Sequence, residues 1–135
     1  MTPRLIVLEG PDGCSKSTQA DLLATALRAE GIDAVAWHHK RPSLGDPWFD
    51  ALAYAQQRAD LVAAKPRCAV LVCDRWYQSA YVEAAVVMWG VSNAKREPMR
   101  EALMCLASGE QNVLPRASLV AVLDAPDAVL NERLR

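Results

Sequence analysis

A three-layer α/β fold around a parallel sheet is the architecture that this 135-residue chain predicts, and three observations carry the prediction. Short apolar runs containing β-branched residues recur along the chain, helical patterns separate them, and the spacings suit crossover helices. The length fits one domain, with too few residues for two ordinary cores.

The apolar runs are Leu5–Leu8, Ala34–Trp37, Cys68–Cys73 and Leu119–Leu123. Each is near-continuously hydrophobic, as expected of strands buried on both faces. The first helix is expected from about Lys16 to Glu30, with Leu22, Leu23, Ala26 and Leu27 on one face and Gly31 as its stop. The second has Asp46 as cap and Pro47 at its first position, and its stripe of Leu52, Ala55, Ala59 and Val62 reaches about Ala64. A third is expected from Ser79 to about Trp89, and a fourth from Glu97 or Pro98 to about Ala107, ahead of Gly109. The last opens at Pro126 and is still helical in pattern at Arg135, without a C-cap signal, so the domain over residues 1–135 reads as incomplete.

Composition narrows the function classes. The chain is 52% hydrophobic and 23% charged with a formal net charge of -1, so it shows no basic footprint for nucleic acid or a membrane surface. A small anionic ligand needs only a few local cations and stays open. Cys14, Cys68, Cys73 and Cys105 form neither a CxxC pair nor a zinc spacing, and Cys68 and Cys73 read as small core residues. With no signal peptide or spanning stretch in the pattern, a soluble cytoplasmic protein is expected.

The first strand runs into Glu9-Gly-Pro-Asp-Gly-Cys-Ser-Lys-Ser-Thr18, a glycine-containing turn that opens a helix. This follows the phosphate-loop pattern GxxxxGK[ST], with Ser15 in place of its second glycine. Gly10 and Gly13 permit positive φ, so that backbone N–H groups around Asp12, Cys14 and Ser15 can turn inward as an anion nest. The helix N-terminus aims its own N–H groups at the same place. Lys16 brings a cation to the outer phosphates, Ser17 a hydroxyl for Mg²⁺, and Thr18 can reach a further phosphate. If the site needs left-handed geometry, Ser15 costs roughly 1–2 kcal/mol there. A chance Gly/Ser/Lys-rich turn is the bland alternative, opposed by the strand before it and the helix after it.

At Glu9–Gln19 the sequence resembles the thymidylate kinase family, whose loop reads EGxDGxGKSTQ. Further matches are Val70–Ser79, similar to the family's strand followed by DR(Y/W/H) and a serine, and Tyr54-Ala-Gln-Gln-Arg58, similar to its helical YAxxR. A weaker match is Leu119–Asp124 with Pro126, leading to Arg133. The resemblance implies a P-loop NTP hydrolase-type α/β/α fold, ATP as donor, dTMP as acceptor and Mg²⁺ as cofactor. It implies that Lys16 stabilises the transferred phosphoryl group, that Ser17 and Asp74 hold Mg²⁺, and that Arg75 grips the acceptor phosphate. It further places Asp12 toward the acceptor sugar, Tyr54, Arg58 and Ser79 on the acceptor side, and Arg133 against the donor adenine. Arg41, in a basic run after the second strand, is a further candidate for the acceptor phosphate.

Plainer readings stand beside these. Asp74 and Arg75 can be an ordinary ion pair, Arg58 a solvated helix residue, and His38-His39-Lys40-Arg41 a solvated charge run. Trp76, Tyr77 and Trp89 read as packing residues. The chain also departs from the family: it has Ser15 in the loop, Lys40-Arg41-Pro42 where the family has Arg-Glu-Pro, and Val82-Glu83 near the expected thymine site. Family members continue past the position of Arg135 into an arginine-bearing lid, a strand and C-terminal helices, so a short form with an unfinished sheet edge is expected, and a homodimer is one way to cover it. Three readings of activity stay open: a dTMP kinase, a kinase for another nucleotide or nucleoside, and a nucleotide-binding remnant without turnover.

Overall fold

A computed structural model of the chain describes residues 2–40, 47–79 and 93–133. The four apolar runs become strands β1 (Arg4–Glu9), β2 (Ala34–His38), β3 (Val70–Asp74) and β4 (Leu119–Val122). The helices are α1 (Lys16–Ala29), α2 (Pro47–Ala63), α3 (Asn93–Val113) and α4 (Asp127–Arg133). All strand pairs are parallel, in the order β2-β3-β1-β4. The expected helix from Ser79 to Trp89, the Asp46 cap, Arg41 and Val82-Glu83 lie outside the described residues, apart from Ser79 itself.

The chain forms two compact units. The first contains the four strands with α1 and α4; the second contains α2 and α3. In the first, Leu8, Ala20, Ala24, Ala34, Val70 and Val72 form a buried cluster, with Ile6, Leu23, Leu27, Ala36, Ala121 and Leu123 against it. Burial along β3 is complete, and β1 is buried at Leu5, Val7 and Leu8. The outer strands differ from expectation: Val35 on β2 and Leu119, Val120 and Val122 on β4 are exposed. A continuous apolar run therefore marks a strand here without marking burial, because β2 and β4 are the end strands of the described sheet.

The buried face of α1 also differs from the expected stripe. Leu22 is 57% exposed, whereas Ala20 and Ala24 are fully buried beside Leu23 and Leu27. Alanine carries little hydrophobic signal, but its small side chain lets a helix lie close on a sheet. At the other end of α1 the stop is as expected: Gly31 at φ 79 donates to Arg28 and Ile32 donates to Leu27, a Schellman-type closure.

In the second unit, Ala51 and Arg58 on α2 are buried, while Leu52 is exposed. Helix α3 begins earlier than expected and continues through Gly109 to Val113. Leu103, Ala107, Glu110 and Leu114 are buried at helical spacing across that glycine. Such a stripe outweighs the roughly 1 kcal/mol that a mid-helix glycine costs.

Candidate active site

Parallel register brings Leu8, His38 and Asp74 level with one another at the carboxyl ends of β1, β2 and β3. The phosphate-loop sequence leaves the sheet at this end, where ligands of open α/β sheets bind. Its turn depends on Gly10, at φ 146. A Cβ there would lie 2.2 Å from the Leu123 carbonyl oxygen and 2.9 Å from Cys14 Sγ. Gly13 is at φ 84 and Ser15 at φ 67, ψ 29, so the serine does occupy a left-handed position. It makes no side-chain capping bond to α1 that would offset this.

Lys16 is 8% exposed. Its Nζ donates to the carbonyls of Gly10 at 2.9 Å and Pro11 at 2.7 Å, with Cys14 Sγ at 3.6 Å and Asp12 Oδ1 at 4.0 Å. The cation is thus held over the loop backbone, next to the first helical turn and its outward N–H groups. Ser17, one residue on, donates its hydroxyl to Asp74 Oδ2 at 2.5 Å. Asp74 is 5% exposed at the end of β3, so strand and helix place a hydroxyl and a carboxylate side by side.

This pair suits Mg²⁺, which prefers hard oxygen donors and takes few from protein, leaving positions for water and phosphate. Among the described residues, no group of three His, Cys, Asp or Glu side chains is arranged to hold a metal ion. The fit therefore rests on the Ser17 and Asp74 oxygens.

Arg75 follows Asp74 at φ 80, its N–H donating to the Leu8 carbonyl at 2.8 Å. Its guanidinium donates to Asp12, which is exposed on the loop. The backbone is anchored once more by Glu9, whose carboxylate accepts from the Trp76 N–H at 2.9 Å. Trp76 is buried and meets Trp37 edge-on at 6.4 Å. From α4, Arg133 NH1 donates to the Gly13 carbonyl at 2.8 Å and to Ser15 Oγ at 2.7 Å. The first unit therefore gathers Gly10, Asp12, Gly13, Cys14, Ser15, Lys16, Ser17, Asp74, Arg75 and Arg133; Thr18 is exposed on the opening turn of α1.

His38, which the sequence places in a solvated charge run, is a further member of this cluster. Its Nδ1 lies 3.0 Å from Asp74 Oδ2 and its Nε2 lies 2.8 Å from Asp21 Oδ1. Burial works to lower its pKa, but hydrogen bonds and charge from Asp21 and Asp74 raise it further, leaving it above the usual histidine value. Register with Asp74 was the missing signal, and register is set by three-dimensional pairing.

The second unit contains Tyr54, Arg58 and Ser79. Arg58, expected on the acceptor side or in solvent, is fully buried. Its Nε and NH2 donate to Glu110 at 2.5 and 2.8 Å, a bidentate pair within the unit. The solvated alternative is thereby corrected: a charge of this kind is buried only when paired. His39 Nε2 lies 3.4 Å from Arg58 NH1, and the His39 ring meets Tyr54 edge-on at 5.5 Å. Gln57 brackets the Lys40 backbone with bonds of 2.7 and 2.8 Å. Ser79 is buried. Glu110 was missed because the helix was expected to end before Gly109.

No family model matches the chain. A thymidylate kinase of Rhizorhabdus wittichii is 32% identical over 154 aligned positions, covering 98% of this chain and 70% of that protein. One from Pseudomonas fluorescens is 34% identical over 105 residues, covering 60% of this chain and 49% of its own length. In fold, the chain is similar to the crystal structure of thymidylate kinase from Ehrlichia chaffeensis (TM-score 0.60, 16% identity, 100% of this chain and 83% of that one). It is also similar to thymidylate kinase from Candida albicans (TM-score 0.68, 19% identity, 97% and 67%). The near-complete alignment to the Rhizorhabdus protein, together with a phosphate loop and an Asp-Arg step at the ends of adjacent parallel strands, shows that the chain belongs to the thymidylate kinase family.

Proposed function

We propose that the chain is a nucleoside monophosphate kinase that transfers the γ-phosphate of ATP to dTMP, giving ADP and dTDP. The observation that carries this reading is the 2.5 Å bond between Ser17 and Asp74, with Lys16 beside it in the loop. A cation, a hydroxyl and a buried carboxylate at one sheet end are the parts that phosphoryl transfer requires, since its catalysis is mostly positioning and charge stabilisation.

In this reading the loop N–H groups and the N-terminus of α1 hold the donor phosphates. Lys16 exchanges its carbonyl partners for phosphate oxygens and follows the charge that develops on the transferred group. Ser17 and Asp74 are the residues that would hold Mg²⁺, which when bound neutralises charge between the phosphates. Arg75 exchanges Asp12 for the acceptor phosphate, while Asp12 is freed toward the acceptor sugar. Tyr54 and Ser79 are assigned to the acceptor. Arg58 serves it indirectly, by holding α2 through Glu110. No covalent nucleophile from the protein is required.

A second reading, nucleotide binding without transfer, is favoured by the strained Ser15 in the loop. One assay separates the two: coupled ADP release with ATP, Mg²⁺ and a panel of nucleoside monophosphates and nucleosides. Release that depends on dTMP and is lost in Lys16→Ala supports the kinase. Release with a different acceptor reassigns the substrate, and ATP binding without release supports the second reading.

A further inference from the structure

The loop position that matches the family least well is also the one that a distant arginine holds. Ser15 sits at φ 67, a conformation that a serine adopts at a cost, and makes no bond to its own helix. Its hydroxyl instead accepts from Arg133 NH1 at 2.7 Å, and the same nitrogen reaches the Gly13 carbonyl at 2.8 Å. These partners lie 118 and 120 residues apart in sequence. A glycine at position 15 would relieve the backbone, but it would leave the guanidinium with the carbonyl alone.

We propose that Ser15 is a positioning residue: its hydroxyl fixes the Arg133 guanidinium on the outer side of the phosphate loop, so that loop and α4 engage the donor nucleotide as one body. The inference rests on the reading of the loop as a nucleotide site. It accounts for a costly residue in a loop that otherwise keeps its glycines: the same side chain that strains the turn supplies an anchor that glycine lacks. The bond is charge-assisted, and it holds a flexible side chain whose freedom would otherwise oppose binding.

The test is a double-mutant cycle of Ser15→Ala, Arg133→Ala and the double variant, with ATP dissociation constants measured by calorimetry and urea midpoints measured without nucleotide. Alanine keeps the Cβ and therefore the backbone cost, so the cycle isolates the hydroxyl. Each single substitution is expected to weaken ATP binding by roughly 5- to 10-fold, and the double variant by no more than either single one. Losses that multiply in the double variant would overturn the clasp, as would unchanged ATP affinity in Ser15→Ala. A lowered urea midpoint with unaltered ATP affinity would reduce the contact to a structural tie and overturn its positioning role. A parent chain that binds no ATP would instead overturn the nucleotide reading itself, which is told apart because it shows before any substitution.

Discussion

Arg58 and Glu110 show what one pair of residues can impose on a helix packing. Both are charged, both are buried, and two bonds of 2.5 and 2.8 Å join them. A buried pair of this kind adds little net stability, but removing one partner leaves the other charged and unsolvated. Glu110→Ala and Arg58→Ala are each expected to lower unfolding free energy by about 3–5 kcal/mol in urea titrations. Arg58→Met combined with Glu110→Leu should recover most of that loss. Equal loss in the single and double variants would mean that the pair's charge is not what matters.

At the scale of elements, the sequence was most legible where local chemistry decides the outcome. All four strands, the first helix with its Gly31 stop, and the phosphate loop between β1 and α1 follow from short patterns. What escaped depended on partners far along the chain. Gly109 read as a helix end because glycine is a poor helix former, yet the stripe through Glu110 continues past it. His38 read as part of a charged run because nothing local reveals that β2 lies level with Asp74. Exposure of β4 escaped for a related reason: apolar content reports strand propensity, and burial depends on neighbours.

The two glycines make opposite predictions. Gly109→Ala, in a helix with open space around the position, should stabilise by about 0.5–1 kcal/mol. Gly10→Ala, whose Cβ would meet the Leu123 carbonyl at 2.2 Å, should destabilise by about 2–5 kcal/mol. Thermal melts of the two variants check the pair together, and a Gly10→Ala protein as stable as its parent would contradict the loop geometry.

For the whole molecule, the buried thiols set an alkaline limit. Burial, then the negative charge of Asp33, pushes the Cys68 thiol up. Burial, then Asp74 and Cys68, pushes Cys73 up further. Cys73, the more deeply buried of the two, therefore stays protonated when folded, whereas unfolded cysteine ionises at about pH 8.5. The contribution of Cys73 is complete below that pH and is lost as pH rises above it, at up to about 1.4 kcal/mol per pH unit. Urea midpoints should fall between pH 8 and 10, and Cys73→Ala should flatten that fall relative to the parent.

The chain spans 70% of the Rhizorhabdus relative and 49% of the Pseudomonas one, and turnover by these 135 residues is open to direct test. Among the described residues, no helix is long and apolar enough to cross a membrane. The most direct measurement is transfer of label from γ-³²P-ATP to dTMP in the presence of Mg²⁺, for the parent, Lys16→Ala and Asp74→Asn. Labelled dTDP is expected from the parent, with at least about a hundredfold less from either variant, in line with losing one charge-stabilising group. Labelled dTDP formed equally by all three proteins would contradict the assignment of this loop and strand end as the active site. ATP binding by the parent without any labelled dTDP would contradict the kinase itself.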